Sequence, residues 1–367
     1  RSPAAEPAPA PAAAPQAPKP QQPARQVAES PSSASVVGVV VVAGQRSPET
    51  ALRAAAASSL AVVFVAQSND AEAAETARRA GIETVEVPDR ALTAGRARNA
   101  GYRQLKKRLP DLQYVQFVDS DLTLDAQWLA GAARFMERRP EVAAIEGKIR
   151  FENEGSSVFA RVSAIEINGE AGETDVVGAN LFVRAAAFEG AGGFRGDLTV
   201  NETRDLCIRL RRRGAHIWRL DAWMGVVASR SDGLAGFWEA SVHRGYEYAH
   251  GAALHGAPPD RLFAGERARA LLWGAFLPSL VATAAIAAAV YAALFAPLSN
   301  PLLYGLSALA VGVLVYLIKV VVVAASLGGR PGAWPFAFWS TVGRVGEALG
   351  GFAYFLGRGK PRQKKPD

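Results

Sequence analysis

Cysteine is almost absent from this chain of 367 residues, which has one, Cys207. A single thiol excludes an intrachain disulfide and a metal site built from several cysteines. Residues 1–34 are nearly devoid of large apolar side chains, being dominated by Ala and Pro with Gln and Ser. Such a stretch has little to bury and is expected to be a disordered arm. It has no positively charged start leading into an apolar core, so no signal peptide is expected within it. A different absence marks the other end. From Ala270 to Ile318 there is no Asp, Glu, Lys or Arg.

What is present fits those gaps. Half of the residues are hydrophobic and mean hydropathy is +0.07. That suits one sizeable domain plus a membrane-facing part. A membrane-spanning helix needs about 20 apolar residues. Two such spans are expected, near 271–296 and 302–327, divided by Pro297-Leu298-Ser299-Asn300-Pro301. Lys319 falls in the second and is expected to snorkel toward the nearer surface. The stretch 332–356 carries Arg344 and Glu347 and many glycines, and Pro331 and Pro335 flank Trp334. It reads as an interfacial helix or a third span, the interfacial one having Trp and Phe in the headgroups and the two charges in water.

The net charge is +7. Arg261, Arg267 and Arg269 precede the first span, and the tail 358–367 holds Arg358, Lys360, Arg362, Lys364 and Lys365 against Asp367. Basic clusters beside apolar segments point to anionic lipid headgroups rather than nucleic acid. Positive charge marks the cytoplasmic side, so two spans place both clusters there. The expected organisation is an arm (1–34), an α/β domain (35–260), a membrane region (261–357) and a basic tail. The expected location is the cytoplasmic membrane, multi-pass, with the α/β domain in the cytoplasm.

The α/β reading rests on alternation. Strand patterns at Val36–Val42, Ala61–Val65, Ile82–Val87 and Tyr114–Val118 alternate with helix patterns at Pro48–Ser59, Ala71–Ala80 and Gly95–Leu109. Further strands are expected at Val142–Ile149 and Val176–Val183. This spacing argues for βαβ units and a mostly parallel sheet. The run Tyr114–Val118 ends in Asp119-Ser120-Asp121. Two carboxylates one residue apart at a strand's carboxyl end can share a hard cation, Mg²⁺ or Mn²⁺, which usually keeps phosphates in its shell. Open α/β sheets hold ligands at that edge. An Asp-rich turn capping the next helix is the competing reading.

Four stretches stand out: Gly95-Arg96-Ala97-Arg98-Asn99-Ala100-Gly101, Phe117–Asp121 with Trp128-Leu129, Gly178–Arg184 with Gly192-Gly193-Phe194, and Asn201–Leu210 with Gly214. In this order and spacing they resemble glycosyltransferase family 2, the inverting enzymes of the GT-A fold. The resemblance implies a nucleotide-sugar donor, a divalent metal at Asp119 and Asp121, and a lipid-linked or glycan acceptor. Donor contacts are implied for Ala43, Gln67, Gly95, Arg98, Asn99, Asp119 and Asp121, and acceptor contacts for Gly178, Ala179 and Asn180. Asn99 is expected to satisfy backbone groups at its helix start. Glu202 is the candidate base. The family usually shows an acidic pair there, and this chain has Thr203 second, so Asp205 is the other candidate. An ionised phosphate acceptor would need no base. Asp205 reads equally as a helix residue facing Arg209 at i+4.

The chain also departs from family patterns. The base-reading Asp after the second strand is replaced by Gln67-Ser68-Asn69. The Q-x-x-R-W of processive synthases is absent, which favours single transfers. His243 and Arg244 are expected to meet the pyrophosphate from a lid, against a solvated helix face as the plainer reading. Asp119-Ser120-Asp121-Leu122-Thr123 also resembles the motif of polyprenyl-phosphate sugar transferases. A non-catalytic binding protein on the same fold is the alternative from another class, and a nucleotidyltransferase is less expected because no Gly-rich, Lys/Arg phosphate loop follows the first strand.

Overall fold

The computed structural model describes residues 35–43, 61–67, 70–88, 93–152, 157–228, 233–296 and 300–357. The expected helix Pro48–Ser59, the arm 1–34 and the tail 358–367 lie outside them. The strands are β1 Val37–Val42, β2 Ala61–Gln67, β3 Glu83–Val87, β4 Tyr114–Asp119, β5 Leu122–Leu124, β6 Val142–Phe151, β7 Gly172–Glu173, β8 Phe182–Arg184 and β9 His216–Val227. The helices are α1 Ala71–Arg79, α2 Ala94–Arg108, α3 Trp128–Glu137, α4 Val158–Ile167, α5 Ala185–Gly190, α6 Glu202–Arg211 and α7 Leu234–His255. After them come α8 Ala264–Phe295, α9 Pro301–Ser326 and α10 Ala333–Phe355.

Among the described residues the strands form one sheet of order β3-β2-β1-β4-β8-β6-β9-β5, with β7 on β9. β3, β2, β1 and β4 run parallel, as the βαβ spacing predicts, and β1, β2 and β4 are β-branched and buried on both faces. The other half is mixed. β8 is antiparallel to both β4 and β6, β6 and β9 are parallel, and β5 and β7 pair antiparallel with β9. The sheet is thus less uniformly parallel than the sequence implies. The expected strand Val176–Val183 shrinks to Phe182–Arg184; in the irregular segment before it Gly178 N–H bonds a side chain, Glu146 Oε2.

The chain winds β1-β2-β3 to one side and returns through α2 to β4 on the other side of β1. This reversal opens a crevice at the carboxyl ends of β1 and β4, where ligands of open α/β sheets bind. Helix α2 lies on the sheet through Gly101, whose missing side chain leaves room for Val40 and Val65. Leu105 is buried over Gly38. Below the crevice Phe117, Phe188 and Phe194 pack with ring centroids 4.9–5.3 Å apart. Burying each such ring contributes about 1.5–3 kcal/mol.

The last three helices depart from this layering. α8 and α9 are long and apolar enough to cross a membrane, by length and composition. Their apolar side chains point outward, among them Ile286, Leu294, Leu302, Val311 and Val322. A π-helical turn, Leu272–Phe276, interrupts α8 where Gly274 meets the backbone of Arg344 on α10. Lys319 does not reach a surface end of α9; its Nζ sits 4.4 Å from the Trp273 ring centroid. Helix α10 packs along α7 through glycines: a Cβ on Gly245 would fall 1.9 Å from Glu347 O, and one on Gly350 would fall 1.9 Å from Val242 O. Its outer face leaves Trp334, Phe338, Leu349, Phe352 and Phe355 exposed. The expectation that Arg344 and Glu347 sit in water is overturned. Glu347 is 4% exposed and pairs with Arg344 at 2.7 Å and Arg244 at 3.8 Å. A carboxylate at a helix–helix seam needs such partners.

Candidate active site

The turn after β4 is held from three directions. Ser120 N–H donates to Val42 O at 3.1 Å, Ala228 N–H donates to Asp121 O at 3.0 Å, and Asp119 N–H donates to Asn180 Oδ1 at 2.8 Å. These bonds tie β1, β9 and the strand entering β8 to one short loop. Both carboxylates are thereby presented at the sheet's carboxyl edge. Asp119 and Asp121 are neither buried nor fully exposed, as a site open to a ligand requires.

Arg98 closes the site from below. Thr93 caps α2 by accepting from Arg96 N–H, and the first turn places Arg98 inward. Its side chain is 3% exposed; Nη2 donates to Asp119 Oδ1 at 2.7 Å and Nη1 pairs with Glu202 Oε1. Burial works against its charge, but Asp119 and Glu202 outweigh that, so its pKa lies above the ordinary arginine value. Glu202 opens α6 and is buried beside it. Three residues distant in sequence thus form one carboxylate–guanidinium–carboxylate chain.

Phe194 completes the floor. Asn99 grips its backbone, Nδ2 donating to Phe194 O at 2.7 Å and Oδ1 accepting from Phe194 N–H at 3.0 Å. Gly192 and Gly193 precede it at φ 79° and 68°, where a side chain would be strained. A Cβ on Gly95 would fall 2.6 Å from Arg195 O. Glycine is required there because two backbones meet.

Glycosyl transferase family group 2 matches residues 114–327, more than half of the chain. The chain belongs to that family. The family shows it to be a glycosyltransferase, and the span matched runs from β4 through α9. No curated protein matches it. Among solved structures, the mannosyltransferase PcManGT from Pyrobaculum calidifontis, in complex with GDP-Man and Mn²⁺, is 19% identical with a TM-score of 0.55, covering 91% of each chain. S. aureus TarS 1–349 is 15% identical with a TM-score of 0.43, covering 88% of this chain and 91% of that one. The first of these likenesses shows a shared fold.

Other expected site residues of this glycosyltransferase find varied places. Ala43 lies at the end of β1, its N–H on Val65 O. The side chain of Gln67 is outside the described part. Gly178, Ala179 and Asn180 form an irregular half-buried segment beside the Asp119 turn. Asn99 does not serve its own helix start, since Thr93 caps it; it clamps Phe194 instead. Asp205 lies in the first turn of α6. It is 1% exposed and both oxygens are taken, Oδ2 by Arg209 Nε at 2.8 Å and Oδ1 by His255 Nε2 at 2.9 Å. The helix reading of Asp205 is the one the geometry matches.

The His-Arg pair expected to meet the pyrophosphate is engaged in ion pairs within this fold. His243 and Arg244 lie mid-way along α7. His243 pairs with Glu247 at 3.2 Å, and Arg244 with Glu166 at 2.7 Å. Arg244 therefore joins α7, α4 and α10 rather than facing the Asp119 turn. Thr203 is 4% exposed, and its hydroxyl has no hydrogen-bond partner among the described residues.

Sequence reasoning missed Glu146 and Arg219. Glu146 accepts from Gly178 N–H at 2.7 Å and from Arg219 Nε at 2.7 Å. It fixes the segment that carries Asn180. The signal was there: a glutamate inside the expected strand Val142–Ile149 would be buried, and a buried carboxylate needs partners.

Among the described residues no group of three or more His, Cys, Asp or Glu is placed to hold a metal. A fully protein-made cage is therefore not offered. Asp119 accepts from Arg98 through Oδ1, and Asp121 stands two residues on, on the same turn. Two carboxylates with remaining positions open to phosphate and water suit Mg²⁺ or Mn²⁺.

Proposed function

We propose that this enzyme transfers a sugar from a nucleotide-sugar donor to a lipid-linked or membrane-proximal acceptor with inversion, a divalent cation standing at Asp119 and Asp121. The observation that carries this reading is the Asp119–Arg98–Glu202 chain at the sheet's carboxyl edge. The similar Pyrobaculum structure binds GDP-Man and Mn²⁺, which supports a nucleotide-sugar donor and metal here. The cation would supply charge neutralisation for the departing diphosphate.

The chain's own residues do the rest. Asp119 and Asp121 would hold the cation. Arg98 holds Asp119 at a fixed angle and keeps Glu202 within the same cluster. Glu202 takes the acceptor's proton, since Asp205 is committed to Arg209 and His255 and Thr203 cannot act as a carboxylate base. Phe194 and Gly95 let the α2 terminus lie close to the cleft. Gly178 to Asn180 border the acceptor side.

A second reading has its own support. Glu202 is buried against Arg98, and Thr203 stands where the family's second acid is expected. A phosphate acceptor such as a polyprenyl phosphate is already ionised and asks nothing of a base. Glu202→Gln separates the two. A hydroxyl acceptor predicts turnover lower by about 10²-fold or more with donor binding kept; a phosphate acceptor predicts little change.

In this reading α8 and α9 cross the membrane, and the outer face of α10 rests in the headgroup layer. The α/β domain and tail then face the cytoplasm. The exposed apolar surfaces of α8 and α9 and the basic residues Arg261, Arg267 and Arg269 support it.

A further inference from the structure

Asn201 is an N-terminal cap that does not cap. It sits immediately before α6, its C=O accepts from Asp205 N–H at 2.9 Å, and its φ is 65°. An Asn in that position usually turns its side chain onto its own helix. Here the amide turns away to α7. Nδ2 donates to Glu247 O at 2.9 Å and approaches His250 Nδ1 at 3.3 Å, while Oδ1 accepts from Arg204 at 3.1 Å. The carbonyl of Glu247 and the guanidinium of Arg204 settle which end of the amide is which. His250 Nδ1 must then accept, so its proton is on Nε2.

The lock continues outward. His250 is stacked on Tyr246, and Tyr354 of α10 meets it edge-on with centroids 5.8 Å apart. Tyr354 also meets Tyr246 at 5.4 Å. Gly251 leaves space for the Phe263 ring and, behind it, the Asn201 amide; a Cβ there would lie 2.6 Å from Phe263 Cδ2 and 3.3 Å from Asn201 Nδ2. A contiguous path of contacts thus runs from α10 through His250 and Asn201 to Glu202, the next residue.

We propose that Asn201 and His250 are positioning residues that hold Glu202 against Arg98, and that Tyr354 completes this lock from the helix packed on α7. The proposal rests on the reading of Glu202 as the base. It assigns a task to a left-handed asparagine and a half-buried histidine that the donor and metal sites leave unused.

The lock has a pH sign. Burial and Arg195 lower the pKa of His250, while Glu247, Glu202 and Asp197 pull it back up; the net direction is down. Tyr246 on its own helix and Tyr354 on α10 face the ring without adding charge. The neutral ring accepts from Asn201. Once protonated, Nδ1 becomes a donor facing a donor and the lock opens. Activity should therefore be present above the histidine range and fall as pH drops below it.

The test uses the full chain in detergent with Mn²⁺, comparing Asn201→Gly, His250→Phe and Glu202→Gln. His250→Phe keeps a ring between Tyr246 and Tyr354 but removes the acceptor. Asn201→Gly keeps the left-handed backbone but removes the amide. Hydrogen exchange of residues 200–210 is read first and needs no donor. Turnover of UDP-glucose and GDP-mannose is read as released nucleoside diphosphate. The expected result for both lock variants is faster exchange over 200–210, kcat about tenfold lower and donor KM within about twofold of the parent, with the acid limb lost in His250→Phe. Wild-type exchange or wild-type kcat in His250→Phe overturns the proposal. Full kcat in Glu202→Gln overturns the base assignment and the proposal with it, and is told apart because exchange in the lock variants is scored separately.

Discussion

Arg98 Nη2 and Asp119 Oδ1 are 2.7 Å apart, on a guanidinium with almost no exposure to water. Removing that guanidinium leaves Glu202 buried beside an apolar gap. Arg98→Met is expected to destabilise the protein by about 3 kcal/mol, the scale of breaking a buried pair from one side. Asp119 is partly exposed and contributes the smaller share. Arg98→Lys should recover part of the stability but not the two-pronged geometry. Thermal unfolding in detergent measures both, and equal melting of Arg98→Met and the parent would remove the cluster from the account.

Cys207 is fully buried in α6, and burial pushes its thiol up to about 12. The thiolate is the reactive form. Maleimide at pH 8 should leave the folded protein unlabelled and label it fully once it is unfolded. Rapid native labelling would mean that α6, which carries Glu202, opens readily.

The seam between α7 and α10 gives a paired prediction. Gly350→Ala would drive a methyl group into Val242 O, whereas Gly131 in α3 has nothing within 4 Å of its Cβ position. Gly350→Ala is expected to loosen α10 and expose it to protease. Gly131→Ala should be neutral or stabilising by up to about 1 kcal/mol, the usual gain from replacing a helix-interior glycine. Limited proteolysis and melting of the two variants should diverge; matching behaviour would contradict the close seam.

A reporter fused after Asp367 tests the membrane arrangement. Two crossings keep the tail with the α/β domain, and cytoplasmic reporter activity is expected. Activity on the opposite face would require an odd number of crossings.

What the sequence made legible was local. The β-branched run before Asp119 named its own strand, and the charge-free stretch from Ala270 named two apolar helices, whose bounds agree within a few residues except at the start of α8. The second half of the sheet was harder. β9 mixes Arg219, Asp221 and Gly225 with its apolar residues, so it shows no clean alternation. The pairings that build the site are long-range: Arg98 finds Glu202 across 104 positions and Asn99 finds Phe194 across 95. No local pattern reports them. The partners of Arg244, Glu166 on α4 and Glu347 on α10, are distant in the same way.

The divalent cation that we propose at Asp119 and Asp121 is open to a direct test. Calorimetric titration of GDP and UDP into the full chain, with Mn²⁺ and then with chelator, tests it most directly when repeated on Asp121→Ala. The account predicts metal-dependent binding of at least one nucleotide to the parent, loss of that binding in Asp121→Ala, and an unchanged melting temperature of the variant without ligand. Binding that survives chelation in the parent, or Mn²⁺-dependent binding that persists in Asp121→Ala, would contradict it.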